Sequence, residues 1–170
     1  MAKILLTATA FLALMATFAR AEETREQRAE KYIKQLDSSE ARLRAKAAEE
    51  IAKLAEIKSS LGKPALKRLL QLLEDKDSDV RAASVKAVCE LDEPKDVVGP
   101  VIKMLKEEKQ MSVQLAAIRG LGIIGEPAKE AAPLIRDIAQ TARKENNNRL
   151  AQECRNALET ISGRIRQKQN

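Results

Sequence analysis

The sequence predicts an all-α fold, a right-handed α-α superhelix of about four helix pairs. Three observations carry that expectation. Two apolar templates alternate along the chain, the second recurs after 37, 33 and 37 residues, and Gly- or Pro-bearing breaks separate the copies. A period in this range marks a helical solenoid, whose units bury their apolar faces only by stacking on neighbours. The composition agrees. The 170 residues are 44% hydrophobic and 33% charged, with aromatics at 2%, no Trp and no His. A core of Leu, Ile, Val and Ala without large rings favours closely packed helices over a sandwich or barrel.

Residues 1–21 differ from the rest. Lys3 gives a positive start, Ile4 to Phe18 is an uncharged apolar run, and Ala19-Arg20-Ala21 supplies a small-x-small end before the first acid, Glu22. That is the layout of a secretory signal peptide cleaved after Ala21, and the run is shorter than the roughly 20 residues a membrane span needs. Export to the periplasm or the medium is therefore expected, with no membrane span after cleavage. Loss of Lys3 and Arg20 lowers the formal net charge from +6 to +4. The charge is interleaved and has no basic run, which serves solubility and gives no reason to expect nucleic acid as a partner.

The repeat domain is expected over residues 22–164, with repeats at about 24–57, 63–92, 95–125 and 128–162, and a polar tail at 165–170. The first helix of each pair (the A helix) carries an i, i+3, i+4, i+7 stripe. It reads Ala29, Tyr32, Ile33, Leu36, then Leu66, Leu69, Leu70, Leu73. The third and fourth copies are Val98, Val101, Ile102, Leu105 and Ala131, Leu134, Ile135, Ile138. The second helix (the B helix) is spaced i, i+4, i+8, i+11. Its copies are Leu43, Ala47, Ile51, Leu54; Val80, Ser84, Val88, Leu91; Val113, Ala117, Leu121, Ile124; and Leu150, Cys154, Leu158, Ile161. Ser59 to Pro64, Asp92-Glu93-Pro94 and Gly125-Glu126-Pro127 stop the B helices. Ser78 and Ser112 are expected as N-caps, and Lys144 to Asn148 as a longer polar link within the last pair.

Asp75 to Val88 and Leu121 to Leu134 carry a resemblance to HEAT repeats. Within that family they look closest to the short bacterial HEAT-like repeats also found in phycobilisome lyases. The resemblance spans residues 24–162 and implies an armadillo-type solenoid acting as a protein-binding scaffold. It also raises an alternative, a HEAT-like lyase or an assembly factor that handles a chromophore or cofactor. In such repeats an acid before the B helix and an Arg near its start form a ladder between neighbours. Asp75 and Arg81 match that pair. Elsewhere the acid position holds Ser38, Glu108 and Glu145, and the Arg position holds Arg44, Gln114 and Ala151. The resemblance therefore implies a structural role for Arg44 and Arg81.

A binding face is expected on the B helices. At 100° per residue, the position six after each stripe start points most directly away from the core. That column reads Glu49, Lys86, Arg119, Asn156, flanked by Ala45, Ala82, Leu115 and Gln152. The expected partner-binding residues are Lys86, Arg119, Leu115, Ala82 and Glu49, a shallow groove with a cationic centre for an acidic or mixed segment of a protein partner. Cys154 reads as a small core residue and Cys89 as outward-facing and open to an intermolecular bond. The two lie two repeats apart, about 20 Å from helix spacings, beyond disulfide reach. The protein is expected to be a non-enzymatic monomer with no cofactor. Without His there is no His-based triad and no mixed zinc site. The metal-ligand pairs of HEAT-like hydroxylases, and the aromatic residues and basic groove of glycosylases, are also missing.

Overall fold

A computed structural model describes residues 23–163. The signal peptide expected at 1–21 and the polar tail at 165–170 lie outside these residues. The described chain holds eight α-helices and no strand. The A helices are α1 (Arg25–Gln35), α3 (Leu66–Leu72), α5 (Pro94–Glu107) and α7 (Ala132–Lys144). The B helices are α2 (Ala41–Ile57), α4 (Ser78–Cys89), α6 (Met111–Ile124) and α8 (Asn148–Ile161). Short 3-10 segments at Ser59–Leu61, Lys63–Ala65 and Glu126–Ala131 lead into α3 and α7. None of the described helices is long and apolar enough to cross a membrane.

The apolar stripes of both templates face inward. Leu36, Ile51, Leu69, Val80, Leu105, Val113, Leu121 and Ile135 are fully or almost fully buried. Each A helix packs on the B helix of its own pair, and the B helices stack directly on one another in the order α2, α4, α6, α8. The A helices touch each other far less. This all-α solenoid is the expected fold. The tight B layer follows from small residues at its seams. A Cβ added to Gly120 would lie 2.4 Å from Cys89 Sγ, and one added to Gly122 would lie 3.2 Å from Ala157 Cα. The exposed faces of the two end helices are polar, with Lys46, Glu49 and Lys53 on α2 and Gln152, Arg155 and Glu159 on α8. Polar end faces are what keeps a repeat array from growing.

The helix starts differ from the expected caps. Asp77, not Ser78, caps α4, its carboxylate accepting from Asp79 N at 2.9 Å and Val80 N at 3.2 Å. Ser112 lies inside the first turn of α6, and the two amides ahead of that helix, Lys109 N and Gln110 N, donate to Glu108 instead. A carboxylate does this better than a hydroxyl because the helix start carries partial positive charge. Asn147 caps α8 through Leu150 N, and Gly125, at φ +73°, ends α6 in a conformation that glycine adopts freely.

The Arg ladder runs between pairs, not within one. Arg44 donates from Nε and Nη2 to the Asp75 carboxylate, both at 2.9 Å, and from Nη1 to the carbonyls of Ser38 and Ser39. Arg81 repeats the arrangement one pair on. It meets the Glu108 carboxylate at 2.7 and 3.2 Å and donates to the Asp75 carbonyl at 2.9 Å. Asp75 and Arg81 therefore belong to different rungs, and two rungs are complete among the described residues. Gln114, next in line, reaches only the Glu108 carbonyl, at 2.8 Å.

Among the described residues, two buried side-chain polar atoms make no hydrogen bond, Arg68 Nε, which keeps an ion-pair contact with Asp37, and the Ser84 hydroxyl. Ser84 is fully buried in the B stripe, and its hydroxyl has no hydrogen-bond partner. Ala fills the equivalent position at 47 and 117. A buried hydroxyl without a partner costs about 1–3 kcal/mol. Ser84→Ala is thus expected to raise the free energy of unfolding by about 1 kcal/mol in urea titration, and a loss of stability would show that the hydroxyl has a partner.

Candidate functional site

The open side of the B layer holds a groove of about 1020 Å³ across α2, α4 and α6. Its floor is small: Ala45, Ala82, Ala83, Ala116 and Gly120. Its walls carry Arg42, Lys46, Lys86 and Arg119 against Glu49, Glu50, Asp77 and Asp79. The floor is low because the seam positions of these parallel helices need small side chains for close stacking, and the wall residues Glu49, Lys86 and Arg119 are the outward column six residues after each stripe start.

Four of the five expected site residues, Glu49, Ala82, Lys86 and Arg119, line this groove. Leu115 does not. It is 6% exposed and belongs to the main apolar core. The position two after a stripe start faces the seam with the next B helix, where Leu is buried and Ala leaves the surface low. Cys89 is corrected for the same reason. It stands seven residues, two turns, beyond Ala82 on that side of α4, and its sulfur fills the notch at Gly120. Cys89 is 4% exposed and burial pushes its thiol up to about 12, so an outward-facing, bond-forming cysteine is not what the fold presents. Cys154 is fully buried in its stripe, and both cysteines are free.

The cationic centre is also more balanced than the column implies. Lys86 Nζ lies 3.7 Å from Glu56 Oε1 on α2, and Arg119 pairs with Glu153 on α8. The Arg119 hydrogen bond holds the Glu153 carboxyl below the usual carboxylate range. Glu90, beside Lys86 on the same edge, is shifted the other way, raised by burial and by the charge of Glu56. The walls therefore present alternating charge and not a basic strip.

Ile123 was not among the expected residues. It is 57% exposed, one of three exposed large apolar side chains among the described residues, and it lies at the end of the groove. It also borders a second depression of about 580 Å³ between α6 and α8, floored by Gly122 and Ala157. The signal was available. Ile123 follows Arg119 by one helical turn and so stands in the same outward column. No three His, Cys, Asp or Glu side chains are placed to hold a metal ion among the described residues.

A family model described as HEAT repeats matches residues 29–97 and again 66–154. Two crystal structures of engineered proteins share the fold. One is 24% identical with a TM-score of 0.63, covering 78% of this chain and 62% of that one. The other is 23% identical with a TM-score of 0.62, covering 79% of this chain and 37% of that one. The chain thus spans less than two thirds of either, and likeness at this identity speaks to architecture alone. No curated protein matches the chain. HEAT repeats are in general scaffolds for protein interaction. With the two family matches running from Ala29 to Cys154 and the paired-helix array built as described, the chain belongs to the HEAT-repeat family.

Proposed function

We infer that the protein is an exported, non-enzymatic scaffold that holds a segment of a partner protein in the groove across α2, α4 and α6. The single observation carrying this reading is the groove itself. An alanine floor lets a backbone come close, alternating charges on the walls match a segment of mixed charge, and an open Ile123 at one end supplies an apolar contact. The tighter B layer belongs on the concave side of the array, the usual binding surface of a helical solenoid. Export rests on residues 1–21, whose three-part pattern is that of a cleaved signal. The partner contact is expected to be moderate in strength, because Trp is absent and Tyr32 is half-buried, which removes the usual interface anchors.

The test is capture from the source cell envelope by the chain from Glu22 onward. Wild type is compared with Lys86→Glu plus Arg119→Glu, with Ile123→Asp, and with Arg136→Glu on α7 as a control. A protein captured by wild type and by the control, and reduced about tenfold or more by either groove variant, supports the reading. Thermal melts of each variant guard against misfolding. Equal capture by all four would sink the groove, and a mature N-terminus other than Glu22 in the purified native protein would sink the proposed cleavage.

A further inference from the structure

We propose that the fourth helix pair, α7–α8, opens as a unit from a rigid body made of the first three pairs. The three junctions between B helices are not held alike. The first two each carry a buried bidentate ion pair, Arg44 with Asp75 and Arg81 with Glu108. The third has none. Gln114 occupies the Arg position and spends its amide on the Glu108 carbonyl of its own loop. Glu145, at the acid position, enters no ion pair among the described residues.

What holds the third junction is of another kind. Gly122 lies against Ala157, and Leu115 adds apolar burial where the earlier junctions have Ala45 and Ala82. Apolar contact is non-directional and lacks the orientation that a bidentate ion pair imposes. The one charged contact across the seam among the described residues, Arg119 with Glu153, has half of the Arg119 side chain exposed, and such pairs contribute little. The link Asn147 Nδ2 to Met111 Sδ, at 3.8 Å, is a weak one. An end pair packed on one side only, without a directional clamp, is the place where a repeat array yields first. The first pair is also an end pair, but Arg44 clamps it.

Opening has a consequence at the groove. It breaks Arg119 from Glu153, so the guanidinium turns from an internal partner to whatever lies in the groove. Glu153 is then an internal competitor for an acidic side chain of a bound segment. That consequence rests on the groove reading. The opening itself does not.

Native-state hydrogen exchange on the chain from Glu22 onward tests the opening without any partner. Amides of α8 are expected to exchange as a block, at least about tenfold faster than those of α2 and α4. Gln114→Arg, which supplies a third rung to Glu145, is expected to close that gap, and Gln114→Arg with Glu145→Gln to restore it. In a separate variant, Arg81→Gln moves the break one junction back, so that α5 to α8 exchange together and faster than α2. Equal protection of α2, α4 and α8 in wild type would overturn the proposal. So would a gap that survives Gln114→Arg in a folded variant, or an Arg81→Gln protein whose helices all lose protection equally.

Discussion

Replacing Arg44 with Met is expected to lower the free energy of unfolding by about 3–5 kcal/mol, because it strands a buried carboxylate. The side chains of Arg44 and Asp75 are each only 8% exposed, and Arg44 satisfies two backbone carbonyls besides the carboxylate. Removing it leaves Asp75 in the α2–α4 junction with only the Asp77 N–H, at 3.0 Å, among its described partners. At about 2–4 °C per kcal/mol for a domain of this size, the melting temperature should fall by roughly 10 °C. The double variant Arg44→Met, Asp75→Leu should recover most of the loss, since an apolar pair of similar volume does as well as a buried ion pair.

The same rung sets a pH signature. Burial alone would push the Asp75 carboxyl up, but the hydrogen bond from Arg44 and that from Asp77 N–H outweigh it and hold the group below its ordinary value. Glu108 is lowered in the same way, its burial outweighed by Arg81 and the amides of Gln110 and Lys109. A carboxyl depressed on folding stabilises fully above its unfolded pKa, about 3.9 for Asp and 4.3 for Glu, and loses that contribution as pH falls through the folded value. Wild type and Arg44→Met should therefore differ most at neutral pH, and the gap should narrow as pH falls toward the depressed folded value of Asp75. Urea titrations at pH 7 and pH 3 measure both. A loss under 1 kcal/mol at pH 7, or a gap unchanged at pH 3, would mean that the rung does not hold the junction.

The helix pairs were legible because one apolar direction per helix is what periodicity reports. Val80, Ser84, Val88 and Leu91 repeat with the helical turn and face the A layer, and the structure buries all four. What periodicity hides is that an inner B helix is buried on three sides, by its A helix and by the B helices before and after it. Its open arc is then narrow. Glu49, Lys86 and Arg119 fall within that arc, while Leu115 and Cys89 lie a short angle away in a seam. The length of one solvent arc cannot be read from a wheel with a single buried direction. The ladder had the same limit, since Asp75 and Arg81 are near in sequence but each bonds across a junction to a residue about thirty positions away. The partner of an Arg in a stacked array depends on rise between units, which no local pattern encodes. Ile123 was missed for a simpler reason. It sits beside the stripe residue Ile124, and an apolar residue next to a stripe reads as part of it.

Gly120 gives the sharpest test of the packed seam, because helix propensity and packing predict opposite signs there. Gly120 lies inside α6, and replacing a helical Gly with Ala normally stabilises by about 1 kcal/mol. Here the new Cβ would stand 2.4 Å from Cys89 Sγ and 3.0 Å from Cys89 Cβ, with Val85 next at 3.9 Å. Cys89 is buried, and its Cβ is fixed to the backbone, so its sulfur must turn within the packed seam or α4 and α6 must separate. Overpacking of this kind costs about 1–3 kcal/mol for Ala, and a branched side chain costs more. Gly120→Ala is expected to destabilise, and Gly120→Val to do so by about 3 kcal/mol or more. Cys89→Ala removes the sulfur and should recover part of the Gly120→Ala loss, a coupling that double-mutant analysis would read as about 1 kcal/mol or more. Thiol labelling gives an independent measure. In wild type the buried, largely protonated Cys89 should resist alkylation, whereas in Gly120→Val the wedged seam should expose it to reagent. A stabilised Gly120→Ala protein would show that the seam yields and that propensity governs this position. A destabilised one rescued at Cys89 would show that the absence of a side chain at 120 is what lets the B helices close into one layer beneath the groove.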